Sequence, residues 1–410
     1  MKRSPLLALF ITVLIDMLGV GIIIPVLAPL FLDPSAGLFP VETSQSVRTI
    51  ALGLMGGIFP LMQLIGAPLL GALADRHGRK KILLVSLFGT LLGYILFALG
   101  IVLGNLPLLF FSRALDGFTG GNISIAMSSI ADISDEKSRT KNFGLIGMAF
   151  GIGFIIGPYI GGVLSDPTNL PFFNFATPFW AATILCALNI ILVITNLPET
   201  LKQKLAKPFS VLTGFINIRR AFQMKTLRTM FIVSFLLTCG FSFFTQFFQV
   251  YLIDRFAFTQ GQIGNLFAFI GLWIAFTQGF ITRFLTKYKS EHVLQYSIFG
   301  LAIAIPSLIL PQSANLIYYV NPFIAIFQGI TNPNITNVIS GLADKQSQGE
   351  ILGISQSVQS LAMTLPPVIA GFLATFDVRL PLIMAGFMIL VGWLIFVTQF
   401  KKPTTKFSEV

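Results

Sequence analysis

Twelve apolar runs, each near the roughly 20 residues that a helix needs to cross the hydrocarbon core of a bilayer, divide this chain. They lie near 6–31, 49–73, 82–104, 107–131, 142–164, 177–197, 230–253, 262–285, 293–311, 315–341, 351–375 and 380–399. A backbone in lipid has no water to bond with, so each run must satisfy its own polar groups, and a helix does that within one segment. The expected fold is therefore an all-α membrane protein with twelve transmembrane helices. Composition agrees: 54% of the 410 residues are hydrophobic and 10% charged, against about 25% charged in soluble domains. Lys2 and Arg3 stand ahead of the first run as they would in a secretory leader. That run is too long, contains Asp16 and lacks a cleavage site, so it reads as a retained span.

The net charge of +11 does not point to nucleic acid, because of where the cations fall. With the N-terminus placed inside, 23 of the 27 Lys and Arg residues lie in terminal or loop segments on the cytoplasmic side. Arg48, Arg255 and Arg379 lie opposite, and Arg113 lies within a span. This is the positive-inside pattern, and it puts both termini in the cytoplasm. Cys186 and Cys239 both fall within spans and form no disulfide framework. His77 and His292, both on loops, form no metal cluster. No Gly-rich phosphate loop with Lys-Ser/Thr is present, so ATP is not indicated as the driving force. No buried catalytic base is evident, and no cofactor is implied.

A polar stretch after the sixth run splits the chain into an N-terminal six-helix bundle (1–198), a cytoplasmic linker (199–228) and a C-terminal six-helix bundle (229–410). In the linker, Phe209, Leu212, Phe215, Ile216 and Phe222 alternate with Arg219, Arg220 and Lys225. That pattern suits an amphipathic helix on the inner leaflet, and equally an unstructured tether with basic lipid contacts. The halves echo each other: Ala131-Asp132, Phe143-Gly144, Gly157-Pro158 and Gly161-Gly162 correspond to Ala343-Asp344, Leu352-Gly353, Pro366-Pro367 and Ala370-Gly371, with an offset of 209 from Gly144 onward. Two related bundles place a binding site at their interface near the bilayer midplane.

Chemistry concentrates in three places. The loop at 71–81 reads Gly71-Ala72-Leu73-Ala74-Asp75-Arg76-His77-Gly78-Arg79-Lys80-Lys81. Gly71 suits close approach of a neighbouring helix, Asp75 suits a helix N-terminus and Gly78 permits a turn. Arg79 can meet Asp132. A merely basic loop would explain the cations, but not the Asp and the glycine spacing. Asp16, Arg113 and Asp116 are the ionisable acids and bases well inside spans, each costing ~2.5–3.5 kcal/mol or more to insert, which makes each a functional candidate. Arg113 and Asp116, three apart on a helix, can pair. A static pair locking spans together is the plainer alternative. Asp16, alternating between water and burial, could carry a proton. Third come amides within spans: Gln63, Asn122, Gln246, Gln249, Gln328, Asn332, Gln356 and Gln359, with Phe241, Phe243, Phe244, Phe247 and Phe248 among them. A largely apolar pocket with a few amides suits an amphiphilic organic molecule, although most of the 42 phenylalanines must simply face lipid.

Several of these residues fall in a known order. Gly71-x-x-x-Asp75-Arg76-x-Gly78-Arg79, then Arg113-x-x-x-Gly117-x-x-Gly120 in span four, then Gly153-x-x-x-Gly157-Pro158-x-x-Gly161-Gly162 in span five, resemble the signatures of the major facilitator superfamily. Within it they are most similar to the twelve-span drug:proton antiporters of the tetracycline-efflux type. Asp16-x-x-Gly19-x-Gly21-x-x-x-Pro25-x-x-x-Pro29 resembles their first span. The resemblance covers most of 5–200 and, more weakly, the second half. It implies a monomeric transporter of the bacterial inner membrane that exchanges a small-molecule substrate for protons, with lipid its other partner. It also implies that Asp75 and Arg79 latch onto Asp132 and the start of span eleven, Gly349–Gly353. Two departures stand out. The family's acid in span three, just before a Tyr, is Gly93 before Tyr94 here, and its acid in span nine has no counterpart in 293–311. Tetracycline is therefore a doubtful cargo. Export of a metabolite or siderophore, uptake by symport, and a transporter-like scaffold without flux are the alternatives. The antiporter signature disfavours uptake, and the cost of the intramembrane charges disfavours the scaffold.

Overall fold

The computed structural model describes residues 5–134, 139–201, 210, 212–224, 227–285, 287–342 and 348–400, and among them there is no strand. The N-terminal half contains α1 (Pro5–Leu32), α2 (Gln45–His77), α3 (Arg79–Val102), α4 (Leu106–Thr119), α5 (Asn122–Ile133), α6 (Arg139–Ser165) and α7 (Thr177–Asn196). After α8 (Thr213–Gln223), the other half contains α9 (Arg228–Phe256) and α10 (Gln260–Phe276), which runs through a π-helical turn at Thr277–Ile281 into α11 (Thr282–Leu285). It ends with α12 (Ser290–Ala304), α13 (Ala314–Gly341), α14 (Gln348–Phe376) and α15 (Leu380–Gln399).

Among the described residues, ten helices are long and apolar enough to cross a membrane. The fourth and tenth expected spans are the two that differ, each for a physical reason. The fourth is broken at Gly120-Gly121 into α4 and α5, of 14 and 12 residues. The tenth, α13, is 28 residues long but carries five asparagines and a glutamine, with Pro322 and Pro333 inside it. Polar sequence, not lack of length, sets α13 apart.

Helix starts follow local chemistry. Asn105 accepts from the Leu108 N–H ahead of α4. Thr259 and Gln262 form a reciprocal capping box at α10, which satisfies two donors that the first turn leaves free. The packing repeats between halves: α3 lies on α4 and α7, and α12 lies on α13 and α15. The halves meet along two seams, α2 on α14 and α6 on α10. Both seams are tight toward the face that carries Pro40, between α1 and α2. A Cβ on Gly53 would lie 3.0 Å from the Gly371 Cα, and one on Gly162 would lie 3.0 Å from the Gly264 Cα. Toward the opposite face, which carries the α2–α3 turn at Gly78, the seams part. Gly144, Gly147 and Gly151 of α6, Gly279 beside α11 and Gly353 of α14 have nothing within 4 Å of where a Cβ would stand. The molecule is closed at the Pro40 face and open at the Gly78 face.

Candidate functional site

Four helices of the N-terminal half converge on the intramembrane charges. Asp16 of α1 accepts a 2.7 Å hydrogen bond from the Asn122 amide at the start of α5. The same amide donates to the Thr90 hydroxyl of α3 at 3.3 Å, and that hydroxyl bonds in turn to Asp116 of α4. Asp116 pairs with Arg113 at 2.9 Å, and the guanidinium lies over the Phe59 ring, 4.3 Å from its centroid. Asp16, Asn122, Thr90, Asp116 and Arg113 thus form one connected chain of polar groups. The Arg113 Nε and Asn122 Oδ1 atoms are buried without a protein partner. Burying a charge is tolerated when it is paired and hydrogen-bonded, and this chain supplies that pairing.

Gly93 has a role that its sequence position did not reveal. A Cβ there would stand 2.9 Å from the Asp116 Cβ. An acid on α3 would therefore collide with Asp116, whose carboxylate occupies that neighbourhood from the next helix. Span four thus sets a carboxylate beside the Gly93 position of span three.

The break in span four is part of the same construction. Ending α4 at Thr119 frees carbonyls within the depth of the membrane, where an unsatisfied group is costly. The Ser86 hydroxyl donates to the Thr119 carbonyl, and the Gln63 amide donates to the Gly120 carbonyl at 3.1 Å. With those groups satisfied, the chain restarts at Asn122 and aims its amide at Asp16. Gln63, expected to line a substrate cavity, is half-buried and donates to this break.

At the Gly78 face the α2–α3 turn is a compact ionic cluster. Gly78 has φ +113°, a conformation that favours glycine. Arg79 pairs with Asp75 and, at 3.1 Å, with Asp132, so the expected pairing of these three residues is present. Glu199, just past α7, accepts from the backbone N–H groups of Arg79 at 2.8 Å and Lys80 at 3.2 Å. The Lys80 ammonium donates to the Ile194 carbonyl, and Thr200 donates to Asp132 at 3.3 Å. Since α3 has no side-chain cap of its own, Glu199 caps it from 120 residues away. Sequence reading passed over Glu199 and Thr200; the one available signal was an acid directly after a span end. Arg76 is exposed. Gly71 lies within α2, six residues before its end, and faces open space. The expected helix contact at Gly71 is absent in this open arrangement. Gly353, expected at the latch, also meets nothing, and Asp344, the repeat counterpart of Asp132, lies outside the described residues.

The glycines of span five serve two neighbours. Gly153, Gly157 and Gly161 face α1: a Cβ on Gly157 would lie 2.8 Å from the Gly21 Cα, and one on Gly21 would lie 2.7 Å from the Pro158 Cδ. Gly162 and the Pro158 carbonyl face Gly264 of α10 in the other half. The motif therefore joins α1 to α6 and also forms one seam between halves.

The remaining amides divide. Gln246 lies against Gly56 of α2, where a Cβ would be 3.2 Å from its Oε1. Gln249 donates to the Gln246 carbonyl at 3.3 Å and leaves a buried oxygen without a partner. Gln328 is buried, Asn332 and Gln356 are exposed, and Gln359 donates to Ser355 at 3.4 Å. Phe243, Phe244, Phe247 and Phe248 are each about 1% exposed or less. They are core residues of α9, with Phe248 packed at a tilt against Phe244 and Phe267, and not a pocket wall. Outside the spans, the side-chain hydrogen bonds of Arg379 hold Asp377 below the usual carboxylate range.

Residues 9–367 match the family model of the Major Facilitator Superfamily. The tetracycline resistance protein, class C, of Escherichia coli is 29% identical over 371 residues, spanning 90% of this chain and 89% of that protein. The quinolone resistance protein NorA of Staphylococcus aureus is 28% identical over 415 residues, with 99% of each covered. Among solved structures, a D-xylose–proton symporter superposes with a TM-score of 0.78 at 15% identity, over 96% of both chains. With a family match across most of its length and two helical halves joined at two seams, this integral membrane chain belongs to the Major Facilitator Superfamily.

Proposed function

We propose that this protein is a secondary active transporter that works by alternating access and exports amphiphilic organic compounds from the cytoplasm in exchange for protons. The observation that carries this reading is the polar chain from Asp16 to Arg113, held at mid-helix beneath a closed face and above an open one. A carboxylate in that position gains and loses water as the halves rock, and a coupled proton site needs that change of surroundings. Relatives that confer tetracycline and quinolone resistance support drug efflux. On this reading the Gly78 face is cytoplasmic, the arrangement is inward-open, both termini are cytoplasmic, the membrane is the bacterial inner membrane and the working unit is a monomer. The two transport halves are residues 1–198 and 229–410, joined by 199–228.

A second reading, export of a metabolite or siderophore, rests on the relocated acid. With Asp116 in place of an acid on α3 and none on span nine, the charge pattern that would meet tetracycline is altered. The test is purified protein in vesicles with an imposed pH gradient, scanned against a panel of cationic and neutral amphiphiles. Substrate-driven proton movement in the wild type, absent in Asp16→Asn and reduced at least tenfold in Asp116→Asn, is the expected result. Proton movement that survives Asp16→Asn would overturn the coupling assignment, and no flux with any compound would overturn transport of this class.

A further inference from the structure

The linker helix α8 sits where a helix of the membrane surface would not. Its Gly214 meets the backbone carbonyl of Leu64, in the middle of α2. Its Asn217 amide donates to the Ser357 hydroxyl of α14 at 3.1 Å. Leu64 and Ser357 are not arbitrary partners. On the seam between halves α2 and α14 run antiparallel, and Gly57 faces Thr364. Seven residues further along α2 and seven back along α14 lead to Leu64 and Ser357, the pair that would face each other next if the seam stayed closed. In the structure α8 stands between them.

The residue pattern of α8 fits this seat. Gly214 and Ala221 are buried and Asn217 is half-buried, so the small and polar side enters the crevice. Leu212, Phe215, Ile216 and Phe222 are all more than 40% exposed and share the outward side with exposed Arg219, Arg220 and Gln223, a mixed surface suited to the boundary between acyl chains and headgroups. An amphipathic helix lying on a leaflet turns its apolar face to the lipid; α8 turns its small and polar face to protein and keeps its apolar side chains outside, beside its arginines. Helices pack with axes about 8–10 Å apart, so an inserted helix must hold its two neighbours well beyond contact.

We infer that the α2–α14 crevice is a docking surface for the chain's own α8, which acts as a reversible wedge. Seated, it holds the Gly78 face open and closes that side of the interior against lipid. For α2 and α14 to approach there, as alternating access requires, α8 leaves the crevice. The wedge therefore favours the state open at the Gly78 face, whatever cargo the protein carries.

The test reads conformation and needs no substrate. In the full chain with Cys186 and Cys239 replaced by Ala, Asn217→Cys and Ser357→Cys are combined with Thr49→Cys. Thr49 lines a chamber of about 240 Å³ at the Pro40 face, which widens when that face opens. Mild oxidation is expected to join residues 217 and 357. Labelling of residue 49 by a bulky maleimide should then fall at least tenfold, with recovery on reduction. Gly214→Leu, which drives a side chain into the Leu64 carbonyl, is expected to unseat α8 and raise that labelling severalfold. Failure of the 217–357 bond to form in folded protein would overturn the docking. Unchanged labelling after complete cross-linking would overturn the wedge even if the docking stands. Should Gly214→Leu fail to give folded protein, the cross-link alone decides.

Discussion

Glu199 illustrates how far a single residue acts and how little of that is legible beforehand. The first N–H groups of a helix have no intrahelical partner, and the turn that delivers Arg79 uses a glycine, which cannot cap α3 itself. Glu199 takes both the Arg79 and the Lys80 N–H groups, placing a negative charge at the positive end of the helix. Replacing Glu199 by Ala should destabilise the N-terminal half by about 1 kcal/mol, the usual worth of a cap. It should also loosen Arg79 from Asp132. Thermal unfolding in detergent, compared with Glu199→Gln, checks this; equal midpoints for wild type and Glu199→Ala would refute the role. The pairing of Asp75, Arg79 and Asp132 was readable because it recurs in a known order. Glu199 was not, because an acid after a span end does not say which helix, 120 residues away, it caps. The same limit applied at Asp16: its charge marked it out in sequence, but its ties to Asn122 and Thr90 depend on three-dimensional packing.

Among the elements, the broken fourth span carries the most mechanism per residue. Hydropathy read 107–131 as one run, and it gave the location of the span correctly. It could not show a break, since Gly-Gly inside an apolar helix is compatible with either a kink or an unbroken span. The break persists because Ser86 and Gln63 receive the carbonyls it releases. Gln63→Leu keeps the bulk and removes the donor, leaving the half-buried Gly120 carbonyl without its side-chain partner. A loss of about 1 kcal/mol is expected, together with weaker proton coupling, because Asn122 would be held less firmly toward Asp16. Thermal stability and vesicle proton flux measured on one preparation would check both effects; intact stability with intact coupling would show that the break needs no support from α2. For the phenylalanines of α9 sequence left pocket, lipid and core open; the helix turns four of them into the core, and only packing decides which face of an apolar helix is which.

For the whole molecule the decisive contrast is between tight and open glycines on the same seams. A helix pair that must open and close needs backbone-to-backbone contact when closed, and glycine permits it. The Pro40 ends of both seams show that contact at Gly53–Gly371 and Gly162–Gly264, while the Gly78 ends of α6 and α14 show glycines with nothing against them. The repeat at an offset of 209 anticipated two related halves and placed Gly162 and Gly371 as counterparts, but not which end would be shut. If rocking about these seams is the transport motion, a side chain forced into the closed end should reverse the balance. Gly162→Leu would press on the Gly264 backbone, and backbone cannot yield as a flexible side chain can. The cheapest relief is to part α6 from α10 at the Pro40 face and bring them together at the other. Gly147→Cys, which stands in open space in this arrangement, should then lose maleimide labelling several-fold, while Thr49→Cys gains it. Both changes must appear together. Loss at residue 147 without gain at residue 49 would mean local distortion of α6, and no change at either would mean that the seam tolerates the leucine and does not govern the opening.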